Sequence, residues 1–376
     1  MATCGSSSKS VAALVLGGTL AGPVAGGQLV LLAKPLGGVL GIPGTVVGYI
    51  ALTVLTVGGA TALLTVRRRL SFPIAGVCAM VTGAGFAVAG SVSAPWLFVT
   101  AAVVAGAAAG PLVVTGRAMA FDSNGALTGW QVAMTTGVAV TAGTASLCYE
   151  RPGLGLILAG AALIVLGLGI ALANRNASQP GSLIVARGAL PHRYLLGYAA
   201  VGWIVGGTVL PSLHLLLFRW NALGAEQTNL LVLASIPAIA ALVLPAPRLG
   251  AVVPLLILAA GGSVLVATAP GRATLTIGIG VALTAAARAA RALDVAVRVE
   301  TSGSHRAATL TTLVVVGAGS AGLATVTALG ELFGTGSGLT VLALPALALA
   351  PRCVPRAPVR ASRSPLIAQV LEGEAP

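Results

Sequence analysis

The strongest constraint on this chain is how its apolar residues are arranged. They come in long blocks broken only by Gly, Pro and isolated charges, with no strand-like alternation. Asp, Glu, Lys and Arg make up 8% of the 376 residues, against roughly 25% in a soluble globular protein. Most of such a chain needs lipid as its solvent, and the backbone can satisfy its own hydrogen bonds there only as helix or closed barrel. The long blocks point to helix, so the chain reads as an all-α integral membrane protein whose first partner is the lipid bilayer.

The net charge of +13 does not indicate nucleic-acid binding, because the Arg residues lie between apolar blocks and form no basic face. Cys4, Cys78, Cys148 and Cys353 have no paired spacing, so neither a disulfide framework nor a zinc site is expected, and the reading calls for no cofactor. The scarcity of Lys beside abundant Ala and Gly is the usage of a GC-rich bacterial genome. Lys9 followed by an apolar run resembles a signal peptide, but the run continues to Ala33. That is long enough to span, which makes it the first membrane helix.

With Gly, Pro and charges as boundaries, spanning segments fall near 11–33, 44–66, 72–92, 96–116, 126–148, 153–173, 194–217, 228–246, 249–268, 273–293, 307–330 and 335–351. A cytoplasmic N-terminus puts seventeen of the 21 Lys and Arg residues on the cytoplasmic side; Lys34, Arg151, Arg219 and Arg272 are the other four. This is the bias of the positive-inside rule, and it favours an even helix count with both termini in the cytoplasm of a cell inner (plasma) membrane. The longest polar connection divides the chain nearly in half. The expected organisation is a six-helix half (1–174), a cytoplasmic linker (175–193), a second six-helix half (194–351) and a cytoplasmic tail (352–376). Arg67 and Arg248, and likewise Arg117 and Arg298, are both 181 positions apart. Gly17, Gly18, Thr19 and Pro23 of the first helix are answered by Gly206, Gly207, Thr208 and Pro211 of the seventh. Two parallel repeats of this kind are an arrangement of secondary transporters, and chance register between helices of equal length is the competing explanation.

The stretch Gly59-Ala60-Thr61-Ala62-Leu63-Leu64-Thr65-Val66-Arg67-Arg68 resembles the loop after helix 2 in the drug/proton antiporter branch of the major facilitator superfamily. The first Gly and the Arg pair match, while Leu63, Leu64 and Val66 replace Asp, Arg and Gly. Leu40-Gly41-Ile42-Pro43 with Tyr49 is similar to that family's approach to helix 2. Ala102-Val103-Val104-Ala105-Gly106 is similar to its helix 4 segment, with Ala102 in place of a membrane-embedded Arg. The glycine signature Gly18, Gly22, Pro23, Gly26 and Gly27 lies in helix 1 and not in helix 5, so its antiport meaning is not transferred. The resemblance implies twelve transmembrane helices in two six-helix pseudo-repeats, with helices 1, 4, 7 and 10 around a central cavity.

All eight acidic residues fall in expected loops, helix ends or the tail. His214 is then the titratable candidate within a span, one turn from its outer end, with an interfacial histidine as the competing reading. Arg67, Arg68, Arg117, Arg288 and Arg291, with Asp122 and Asp294, form a candidate cytoplasmic gate or loop cluster; snorkelling Arg is the alternative there. Thr19, Gln28, Gln131, Trp203, Thr208 and Asn229, with His214, are candidate cavity residues, although Thr135 and its like more often satisfy neighbouring helices. Together they suggest a nearly uncharged pocket for a small, amphipathic or weakly charged organic compound, exported by alternating access as a monomer, with protons as a candidate coupling ion. A membrane scaffold that has lost transport is the alternative. An enzyme is not expected, because His192, His214 and His305 lie at different levels and cannot converge. Gly317, Gly319 and Gly322 fit a dinucleotide fingerprint, but no strand precedes them, so they read as helix-packing glycines.

Overall fold

The computed structural model describes residues 4–65, 70–173, 190–220, 224–301 and 304–353. Among them there is no strand, and the elements are long helices joined by short connections. α1 (Cys4–Thr19), a π-helical turn (Leu20–Gly26) and α2 (Gly27–Leu31) form one rod. Pro23 explains the π turn: it has no N–H to donate one turn back, and its ring pushes the preceding carbonyl away. A short helix not foreseen from the sequence, α3 (Ala33–Leu40), follows and ends on Gly41 in a left-handed conformation at φ 66. Then come α4 (Gly44–Leu63), α5 (Phe72–Ser91), α6 (Pro95–Ala120), α7 (Asn124–Leu147) and α8 (Pro152–Ala173). After the connection lie α9 (His192–Trp220), α10 (Gly224–Val243), α11 (Val252–Thr268), α12 (Arg272–Glu300), α13 (His305–Phe333) and α14 (Thr335–Leu349).

A helix lies over every apolar segment read from the sequence, and nine stretches among the described residues are long and apolar enough to cross a membrane. Large apolar side chains such as Leu147, Val165 and Val243 point outward, as lipid-facing residues do. One correction concerns length. The tenth segment does not stop at 293, because α12 continues to Glu300. Its inner part, Ala-Ala-Ala-Arg-Ala-Ala-Arg-Ala-Leu over 285–293, is made of strong helix formers, so charge marks the membrane boundary there without ending the helix.

Close approach through glycine sets the packing within each group of helices. Along α5 and α8 the pairs Gly76/Gly167, Gly83/Gly160 and Gly90/Gly153 recur every seven residues and run in opposite directions, so each glycine faces the other's backbone. A methyl on Gly76 would lie 2.7 Å from the Gly167 carbonyl oxygen. α9 and α13 meet in the same manner through Gly202, Gly206, Gly319 and Gly322, which accounts for two of the three fingerprint-like glycines of α13; Gly317 has open space around it. One buried core draws on α1 to α6 and α8, with Ala145 added from α7. A second draws mainly on α9 and α11 to α14, with Ala118, Phe121 and Leu127 added from α6 and α7. A third joins Ala142 of α7 to Leu231 and Ala234 of α10.

Replacing Gly83 by Ala should push α5 and α8 apart and cost about 1–3 kcal/mol. Gly169→Ala, with open space around its position, should be neutral. Thermal unfolding of the two purified variants checks this, and equal loss in both would contradict the seam.

Candidate functional site: a buried charge cluster between the helix groups

Asp294 is 2% exposed and Arg117 6%. Asp294 sits six residues before the end of α12, about 9 Å along the axis. Tyr198 is six residues into α9 and Gln131 seven into α7, so three helices bring polar groups to one level. Arg117 reaches that level from the last turn of α6 and pairs its Nη2 with Asp294 Oδ1 at 2.6 Å. The Tyr198 hydroxyl donates to the same oxygen, and Gln131 Nε2 donates to Asp294 Oδ2. Arg117 Nη1 donates to Thr312 Oγ1 of α13 at 2.8 Å. The guanidinium also lies over the rings of Tyr198 and Phe121, 5.4 and 5.8 Å from their centroids. A carboxylate with three donors and an arginine with matched acceptors can both stay charged out of water; either one alone cannot.

Two flanking contacts lie at the same end. Arg298 donates through Nε to the Phe121 carbonyl at 2.9 Å, through Nη2 to the Asp122 carbonyl at 3.2 Å, and through Nη1 to Asn124. It thereby binds α12 to the α6–α7 corner. His305 Nε2 lies 3.1 Å from the Thr65 carbonyl, linking the start of α13 to the end of α4. All three contacts join residues before position 132 to residues after position 197.

Other candidates are placed as follows. Arg291 donates to Gln131 Oε1 at 3.0 Å, on the edge of the cluster. Arg288 donates to the Ala241 and Leu244 carbonyls and so caps α10. Asp122 is exposed, beside the Arg298 contact. Gln28 is buried with its amide nitrogen on Thr144 at 3.2 Å and its oxygen without a partner. Thr19 donates to the Val15 carbonyl and packs on Gly137 of α7. Trp203 donates to the Leu342 carbonyl at 2.9 Å, and Thr208 shares a 2.7 Å hydrogen bond with Ser263. Asn229 is exposed on α10. Arg67, Arg68 and the side chain of His214 lie outside the described residues, as do most of the linker and the tail.

One expectation is corrected: an acidic residue does lie inside a helix, because α12 runs past Asp294, which is buried there. Sequence reasoning named Arg117, Asp294, Gln131 and Arg291 but placed Gln131 in the cavity, whereas it bridges Asp294 and Arg291. It missed Tyr198 and Thr312, and it named His305 and Arg298 without giving either a place at the site. The 181-residue correspondence of Arg117 and Arg298 was the available signal, since each Arg reaches from its own helix group into the other.

No protein-family model matches the chain, and no curated protein is significantly similar by sequence. Solved structures do match. The crystal structure of the human organic anion transporter MFSD10 (TETRAN) superposes with a TM-score of 0.65 at 17% identity, over 93% of this chain and 98% of that one. A variant of the E. coli fucose:proton symporter FucP superposes with a TM-score of 0.61 at 11% identity, over 92% and 97%. The chain has the major facilitator fold. Within that fold the cluster lies at one end of the bundle, where α6, α7, α9, α12 and α13 converge.

Replacing Arg117 by Ala should leave Asp294 buried without its counter-charge and cost about 3–5 kcal/mol. The double variant Arg117→Ala/Asp294→Ala should lose less than the two single variants together. Thermal unfolding of the four proteins closes the cycle, and strict additivity would refute the pair.

Proposed function

We propose that the chain is a secondary transporter that moves a small organic compound across a membrane by alternating access. The observation that carries this reading is the buried Arg117–Asp294 pair, made between helix groups that must separate if that end of the bundle is to open. The fold it shares along nine-tenths of its length with two transporters supports the reading. The groups are proposed as two six-helix halves, 1–174 and 194–351, joined by the 175–193 linker. The 17-to-4 charge bias supports both termini in the cytoplasm of a cell inner membrane. The cluster then closes the cytoplasmic mouth.

The proposed branch is the drug/proton antiporter-like one, on the strength of Gly59, Arg67 and Arg68, with export by a monomer as the direction and state. Protons are the proposed coupling ion, since a charge change at Asp294 or His214 would bias the two conformations. Breaking a charged lock between the halves is a reversible step, and it suits a carrier better than a static scaffold.

The test fixes the mouth shut. In a cysteine-free background, Asn124→Cys and Arg298→Cys bridged by a short bis-methanethiosulfonate should stop transport of labelled amphipathic compounds in proteoliposomes, and reduction should restore it. Transport that continues unchanged in the bridged protein would contradict alternating access through this end.

A further inference from the structure

Arg291 stands apart from the rest of the cluster. It lies three residues, about 4.5 Å of helix rise, from Asp294 toward the middle of α12. Beneath it Asp294 and Arg117 are sealed, yet Arg291 itself is partly exposed. Its Nη1 donates across the interface to Gln131 Oε1 at 3.0 Å, so its head group is turned between the helix groups and away from lipid. Its Nε is buried with no acceptor. Among the described residues it forms no ion pair, because the one carboxylate in reach is held by Arg117. Arg288, three residues away on the same side of α12, adds like charge and is already committed to the end of α10.

The cluster therefore holds two guanidiniums, Arg117 and Arg291, against one carboxylate. An uncompensated guanidinium between membrane helices is costly, and an arriving anion offsets that cost. Toward the membrane centre come Thr135, one turn from Gln131 on α7, and Thr284, two turns from Arg291 on α12 with its buried Oγ1 unpartnered, beside the apolar Val138 and Leu283, which pack on the third core. A guanidinium beside hydroxyl and apolar side chains fits an organic body with one negative end. We propose that Arg291 is a binding site for the carboxylate or sulfonate of a small organic monoanion, at the floor of the substrate path.

The site has a second use for the same spacing. Asp294 follows Arg291 at i, i+3, so when the halves part and Arg117 leaves with α6, Asp294 can pair with Arg291 along α12. The anion then loses its partner on α12 and faces Arg117 on the other wall. Exchange of one carboxylate between two arginines thus hands the anion from the floor to the opening mouth.

This inference rests on the transport reading, and its test is separate from the cross-link. Binding of matched carboxylate and amide probes, 2-naphthoate against 2-naphthamide and octanoate against octanamide, is measured by thermal shift on the purified full-length protein in detergent. Each carboxylate should bind more tightly than its amide. Arg291→Gln should weaken carboxylate binding about tenfold to a hundredfold, as expected for a lost charged hydrogen bond, and leave amide binding unchanged. Arg291→Lys should retain the preference for the acid, and Arg288→Gln should leave it intact. No binding of any acid, equal binding of acid and amide, or full carboxylate affinity in Arg291→Gln would each overturn the site. A positive cross-link result beside any of these would leave the transport reading standing with a different substrate class.

Discussion

A carboxylate removed from water between membrane helices persists only while donors surround it, and one end of this helix bundle is organised by that requirement. Asp294 needs Arg117, Tyr198 and Gln131 at once, and these come from three helices besides its own. Four helices must therefore hold one arrangement at this level, with α13 drawn in through Thr312. The same requirement makes the arrangement breakable as a unit. Losing one donor exposes the others to a charge they no longer balance, so the contact favours two states over a graded loosening.

The rest of the bundle is built differently. Within each helix group the contacts are apolar and backbone-close, with glycine seams between α5 and α8 and between α9 and α13. Lipid is as apolar as the side chains, so such seams are held by close packing and not by the hydrophobic effect. Between the groups, the end with Arg117 is joined by charge and hydrogen bonds, including Arg298 on the α6–α7 corner and His305 on α4. Apolar packing crosses between the groups as well, where Ala142 of α7 meets Leu231 and Ala234 of α10, so the charged contacts are a feature of the Arg117 end and not of the whole interface. Water entering the mouth can replace the polar contacts, while it has nothing to offer the glycine seams.

Much of this was legible in the residues. Long apolar blocks fixed the helices, while the π turn around Pro23 became visible only in the structure. Arg117, Arg291 and Asp294 were recognisable as charges at the edge of the core, because so few charges exist to choose from. What could not be read was which of them meet. Asp294 looked like a loop residue because Arg288 and Arg291 precede it, and only the Ala-rich continuation of α12 reveals a buried carboxylate. Gln131, Thr208 and Gln28 looked like substrate ligands, yet each has a protein partner from a helix distant in sequence. Tyr198 gave no signal at all, since a tyrosine near a helix end is ordinary until the carboxylate it serves is located.

The central claim is that the Asp294 cluster holds this end of the bundle shut. The most direct measurement is double electron–electron resonance between spin labels at Gly125 and Val299, exposed positions on α7 and α12 at that end, with a second pair at Trp96 and Leu332 at the opposite end. The wild-type protein should give one narrow, short distance between Gly125 and Val299. In Asp294→Asn a second, longer distance should appear there while the Trp96–Leu332 distance shortens. An Asp294→Asn distribution identical to wild type at both ends would contradict the account.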